Sequence, residues 1–286
     1  MPNLRALLVG VSLATALLLL QTGCDKTSEA TVQEIKFELG KNIVETAKAS
    51  GVPGFESDDI AGLVSYSVTG FPTDIPVRFV KDGYEIVWQP LFDFTMYADR
   101  NRDPGMKVQS ASLQLKKGIT SHADAQAFVE RTIAQFAKGK WQRYHDPVWD
   151  VLLTGRSSIL DEAGQVNETL MTIDPAYKIP AADWPSVAKS GPIWRWIGDG
   201  VLASLSIRYT EPQASTVPQY SMDLEFELLD VYVQMLARNG DQKRKEGDAK
   251  GWDSTAKYEA GKKERAERNK RLIANAVKRG DQVVGR

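Results

Sequence analysis

Between residues 58 and 117 apolar side chains recur at every second position, a spacing that suits a half-buried β-strand and not a helix. Val64, Tyr66 and Val68 alternate with polar neighbours, and Val77 and Phe79 do the same. Asp82-Gly83 then supplies a tight hairpin turn, after which Tyr84, Ile86 and Trp88 alternate on the return. Pro90 interrupts the run; Phe92, Phe94 and Met96 resume the same period. A polar turn, Asp99 to Gly105, leads into a segment that carries Ala111, Leu113 and Leu115 on one side. The pattern predicts an antiparallel meander with one buried face.

The period changes at residues 121–138. Ala125, Phe128, Val129, Thr132, Ile133 and Phe136 lie on one helical stripe. Ser121 stands three residues before Asp124, a near capping box, and Gly139 marks the end. This helix is expected to pack on the sheet. Val201 to Tyr209 reads as a strand, and Tyr220, Leu224, Phe226, Leu228 and Val231 as another that pairs back. Asn239-Gly240 predicts a break. Trp252 to Lys278, rich in Ala, Lys, Glu and Arg, predicts a long solvated helix. Its Glu259–Lys263 and Glu264–Arg268 pairs each contribute about 0.2–0.5 kcal/mol. The fold class is therefore α+β: an antiparallel sheet packed by one amphipathic helix, with a long charged C-terminal helix.

The chain divides into four segments: a leader at 1–23, an N-terminal tether at 24–57, whose lipidation is implied only by the resemblance given below, an α+β globular domain at 58–237 and a basic helical tail at 238–286. Within the tether the spacing leaves two readings open. Ile35, Phe37 and Leu39 suit a strand, while Ile43, Val44 and Ala47 suit a helical turn. The net charge of −1 gives no general case for a nucleic-acid partner. It hides an asymmetry: residues 1–237 carry 21 basic and 29 acidic groups, and residues 238–286 carry 15 and 8. Cys24 is the only cysteine, so no intrachain disulfide can form and the core must hold by packing.

Arg5 is followed by a weakly polar to apolar run from Ala6 to Leu20. As a helix it spans about 22 Å, short of the ~30 Å hydrocarbon core of a bilayer, which marks a secretory signal rather than a transmembrane helix. The run ends in Leu20-Gln21-Thr22-Gly23-Cys24. This resembles the bacterial lipoprotein signal, in which small residues precede an acceptor cysteine. Gln21 departs from it, since leucine usually stands there and here sits one place earlier. The resemblance implies diacylglycerol and palmitate-type acyl chains on Cys24, cleavage that leaves Cys24 as the new N-terminus, and a lipid anchor on the periplasmic side of a bacterial membrane. Two or three acyl chains hold stably where one is marginal. Asp25 resembles an inner-membrane retention signal, and the choice between inner and outer membrane stays open.

No catalytic, metal or nucleotide motif stands out. Ser121-His122 and His145-Asp146 are near in sequence, but a triad is defined by spatial geometry. The chain lacks Gly-x-Ser-x-Gly and Gly-x-Gly-x-x-Gly patterns. Two histidines and no second cysteine support no zinc cluster. The expectation is a non-enzyme without metal or cofactor. Trp184, Trp194, Arg195 and Trp196 are the candidate partner-binding residues, because Trp and Arg dominate binding hot spots; the competing reading puts the same rings in the core. The basic tail reads either as a contact for acidic lipid headgroups or an acidic partner, or as a solvated face.

Through the leader, Cys24 and the general character of Lys117–Tyr144 and Trp141–Gly200, the chain resembles the lipoprotein immunity proteins encoded beside type VI secreted lipases. That resemblance implies a protein-binding module at the membrane that blocks a toxin, with a surface loop or Trp184–Trp196 plugging the lipase. The alternative is a structural or assembly lipoprotein of the envelope, without enzymatic activity, whose basic helix binds a membrane machine or the lipid surface.

Overall fold

The period-two segments form strands, but in two sheets rather than one. The computed structural model describes residues 34–52, 54–70, 75–115, 118–146, 151–166, 172–211 and 219–285; the leader, Cys24 and Asp25 lie outside them. The elements run β1 (Ile35–Phe37), α1 (Ile43–Ala49), β2 (Glu56–Ile60), β3 (Leu63–Thr69), β4 (Val77–Phe79), β5 (Ile86–Trp88), β6 (Asp93–Asp99), β7 (Ser110–Leu115), α2 (His122–Lys138), β8 (Gln142–Arg143) and β9 (Val151–Leu153). They continue with α3 (Trp184–Lys189), β10 (Ile193–Gly198), β11 (Val201–Thr210), β12 (Gln219–Leu228), α4 (Leu229–Ala249), α5 (Ser254–Arg279) and β13 (Val283–Gly285).

Eight strands make one antiparallel sheet in the order β2-β3-β6-β7-β12-β11-β10-β8. The predicted meander holds for β3, β6 and β7. The β4–β5 hairpin leaves it and joins β1, which runs parallel to β4, in a separate three-stranded sheet. The cause is aromatic packing. Phe79 stacks on Phe226 of the large sheet at 4.4 Å, and Phe37 contacts Phe79, Phe94 and Phe226 at 5.5, 5.1 and 5.7 Å. The small sheet thus covers one face of the large one.

α2 packs on the same core. Ser121 Oγ accepts the Asp124 amide at 3.0 Å, so the helix starts where its cap predicts. Phe128 meets Trp88 edge-on at 4.9 Å, and Phe136 stacks on Trp196 at 3.9 Å with the rings 6° from parallel.

Two boundaries differ from the expected ones. Both readings of the segment before residue 57 hold in succession: Ile35 and Phe37 are buried in a strand, then Ile43 and Ala47 in a helix, so the folded unit begins well before residue 58. Asn239-Gly240 breaks nothing, because α4 runs through it. A glycine inside a helix costs only about 1 kcal/mol relative to alanine, which a 21-residue helix tolerates. Residue 238 therefore falls inside α4. α5 is the long charged C-terminal helix, and its end is docked. Leu272 and Ala276 pack against Leu153, β13 pairs antiparallel with β9, and Glu162 binds Arg268 and Arg271 at 2.9 and 2.6 Å.

Candidate functional site

The alternation on β12 divides its side chains between two environments. Tyr220, Met222, Leu224 and Phe226 face the core; Asp223, Glu225 and Glu227 face the other way. The register sets Glu225 between Ser112 of β7 and Ser204 of β11, and Glu227 between Ser110 and Leu202. Short hydroxyl side chains thus flank a row of carboxylates. The start of α4 packs across one end of this face, where Tyr232 joins Leu202 and Tyr144. Beyond it Glu225 is exposed, and Ser112, Ser204 and Glu227 are half-buried. Ser112 Oγ has no hydrogen-bond partner among the described residues.

Burial pushes the Glu227 carboxyl up to about 7, and the Glu225 carboxylate two residues away adds to the effect against the opposing pull of Arg102 and Arg195. Glu225 shifts in the same direction through desolvation and the charge of Asp223. An unfolded glutamate titrates near 4.5, so between 4.5 and 7 the native state binds more protons than the unfolded one. Ionisation of Glu227 therefore erodes stability as pH rises through 7. Glu227→Gln is expected to stabilise the protein by about 1 kcal/mol at pH 8, after allowance for solvent screening, and by almost nothing below pH 4.5. Urea unfolding at the two pH values checks this, and equal effects at both would contradict it.

The four sequence-selected residues divide sharply. Trp184, Trp194 and Trp196 are buried, none more than 3% exposed, and cannot present a contact surface. Trp194 and Trp196 stand two apart on β10 and share its inward side, while Trp184 opens α3, which packs on β11. Arg195, between the two rings, points to the opposite face. Its Nη1 donates to Tyr232 Oη at 3.2 Å and lies 3.7 Å from the Asp146 carboxylate, with the guanidinium 5.7 Å from the Tyr232 ring centre. It borders the carboxylate row and is engaged there. A ring nitrogen of His122 hydrogen-bonds the Tyr220 hydroxyl, and the ring lies 5.3 Å from that of Tyr209, a structural setting.

Sequence reasoning missed the β2–β3 turn. β2 is an exposed edge strand, and Glu56, Asp58 and Asp59 discourage further strand pairing along it. At its end Ile60 and Leu63 are 69% and 50% exposed and pair with each other. Val64, Tyr66 and Val68 pack on the core, so Leu63 stands on the side of the carboxylate row. The turn is held firmly. Asn101 Nδ2 donates to the Ala61 carbonyl at 2.7 Å, the Arg100 amide to that of Gly62 at 2.9 Å, and the Arg100 guanidinium pairs with Asp59 at 2.6 Å. Gly62 has φ +92°, and a Cβ there would lie 2.2 Å from Asn101 Nδ2, so only glycine fits. Arg102, on the loop that braces this turn, donates to Gln234 of α4 at 2.5 Å.

Among the described residues no group of three or more His, Cys, Asp or Glu side chains is placed to hold a metal ion, and no helix is long and apolar enough to cross a membrane. Fold and site together define an α+β protein with one covered sheet face and one acidic face edged by a rigid apolar turn. Comparison with protein-family models, curated proteins and solved structures returned no match. Function is therefore argued from the site itself.

Proposed function

We propose that the chain is a lipid-anchored lipoprotein facing the periplasm, and that the acidic sheet face and the β2–β3 turn bind a protein partner in the manner of an immunity protein that blocks a secreted toxin. The observation that carries this reading is the pairing of the Asp223-Glu225-Glu227 row with the braced Ile60–Leu63 turn. A partner's Lys or Arg set against Glu225 and Glu227 would offset the burial and like-charge repulsion that raise the Glu227 carboxyl, giving charge complementarity. A turn already fixed by Asn101 and Arg100 loses little freedom on docking, so its apolar contacts are not spent on ordering it. The anchor at Cys24 follows from the leader that precedes it, with Asp25 favouring the inner membrane.

The test is to read the genes beside this one for a secreted toxin and to co-express the chain with it; a neighbourhood without such a gene would count against this reading. The wild-type protein is expected to protect the host and co-purify with the toxin. Ile60→Asp with Leu63→Asp is expected to weaken the complex by at least about tenfold, the loss typical of one desolvated anchor, with an unchanged thermal transition. No protection and no complex would end this reading. The exposure of α4 along residues 233–246 favours the second reading, an assembly lipoprotein of the envelope that uses this arm to hold a partner.

A further inference from the structure

α4 and α5 form an arm that leaves the sheet and turns back, and most of its length is exposed. α4 has 21 residues and so reaches about 31 Å. A cleft of about 410 Å³ lies at the far end, lined by Lys243, Arg244, Lys250, Trp252, Lys257 and Tyr258, with Glu246 as its one acidic side chain. Trp252 and Tyr258 are 53% and 58% exposed. The ammonium groups of Lys250 and Lys257 lie 5.4 and 4.4 Å from the Trp252 ring centre. Arg244 pairs with Asp241, whereas Lys243, Lys250 and Lys257 have no ion-pair partner among the described residues.

A large exposed indole flanked by lysines is a poor surface for water alone and a good one for a bilayer interface. Amphipathic rings settle at headgroup depth, and each Lys near an anionic leaflet adds attraction. An acidic protein partner would satisfy the same lysines and rings; what favours the membrane is the proposed lipid anchor, which holds the chain beside a bilayer. We propose that the α4–α5 tip docks on an anionic phospholipid surface, with Trp252 and Tyr258 at the interface and Lys243, Lys250 and Lys257 among the headgroups. The choice of a membrane rests on the lipid-anchor reading above. Nine residues separate Cys24 from Glu34, a tether that spans at most about 35 Å when fully extended.

The experiment uses the chain from Asp25 onward, which holds the whole compact unit Val32–Arg286 and lacks both leader and anchor. It is mixed with sedimenting vesicles of phosphatidylcholine alone or with one third phosphatidylglycerol. Binding is expected only to the anionic vesicles and is expected to weaken as salt rises. Lys250→Glu with Lys257→Glu should reduce it by about tenfold or more. Brominated lipid should quench part of the tryptophan emission, and Trp252→Phe should abolish that quenching. All variants are checked for an unchanged thermal transition. No binding to anionic vesicles, equal binding to both kinds, or binding indifferent to the lysine changes would overturn the proposal. Because neither leader nor Cys24 is present, failure here leaves the lipid anchor standing, and an unlipidated Cys24 in cells leaves a positive vesicle result standing.

Discussion

Replacing Trp196 by alanine is expected to lower the unfolding free energy by about 3–5 kcal/mol. Trp196 joins three layers. Its ring lies flat on Phe136 of α2, and in the large sheet it stands opposite Ala203 of β11 and Arg143 of β8. The small Ala203 side chain leaves room for the indole. Phe136 in turn meets Trp141 at 5.3 Å, and Trp141 meets Phe79 of the small sheet at 6.1 Å. The aromatic series thus ties α2 and both sheets together. A close-packed interior relaxes only partly around a missing ring, so the lost transfer energy and the residual cavity add. Urea unfolding at 25 °C measures the change. Trp252→Ala, on the solvated arm, should fall within about 0.5 kcal/mol of wild type in the same assay. A small effect at Trp196 would show that its ring is not part of the core.

That contrast also shows how much was legible beforehand. α2 was read from end to end, since its stripe and its Ser121 cap are local features. The β3, β6 and β7 strands and the β11–β12 pair were equally clear, because alternation with a solvated face is a local signal. The transfer of β4 and β5 to a second sheet was not, since it depends on β1, some forty residues upstream. Ile193 to Ile197 is apolar apart from Arg195, so β10 showed no polar alternation and its tryptophans looked equally suited to core or surface. Ile197 is half-buried because it packs beside Leu202 and Tyr232 on the opposite face, which removes the polar half of the pattern.

The acidic face was half visible. Asp223, Glu225 and Glu227 alternate plainly with apolar residues, but the upward shift of the Glu225 and Glu227 carboxyls arises from burial between the strands set on either side. Ile60 and Leu63 flank an Ala-Gly turn that looks like any other hairpin; their prominence depends on β2 being an edge strand. Long-range placement, not local propensity, made both features.

The larger functional effect is expected at Cys24. Cys24→Ala removes the only thiol in the chain, so no thioether to diacylglycerol can form. Incorporation of a labelled fatty acid should fall to background, whereas changes at Trp184, Trp194 or Trp196 should leave labelling of whatever protein folds unchanged. On the proposed lipoprotein reading, two or three acyl chains on Cys24, each CH₂ contributing roughly 0.8 kcal/mol, would supply the anchor.

The direct measurement is the intact mass of the wild-type protein extracted from membranes. A chain that starts at Cys24 and is heavier than its bare sequence by a diacylglycerol, with or without a further acyl group, is the predicted result. A chain that still carries residues 1–23, or one that starts elsewhere with an unmodified Cys24 thiol, would contradict the account.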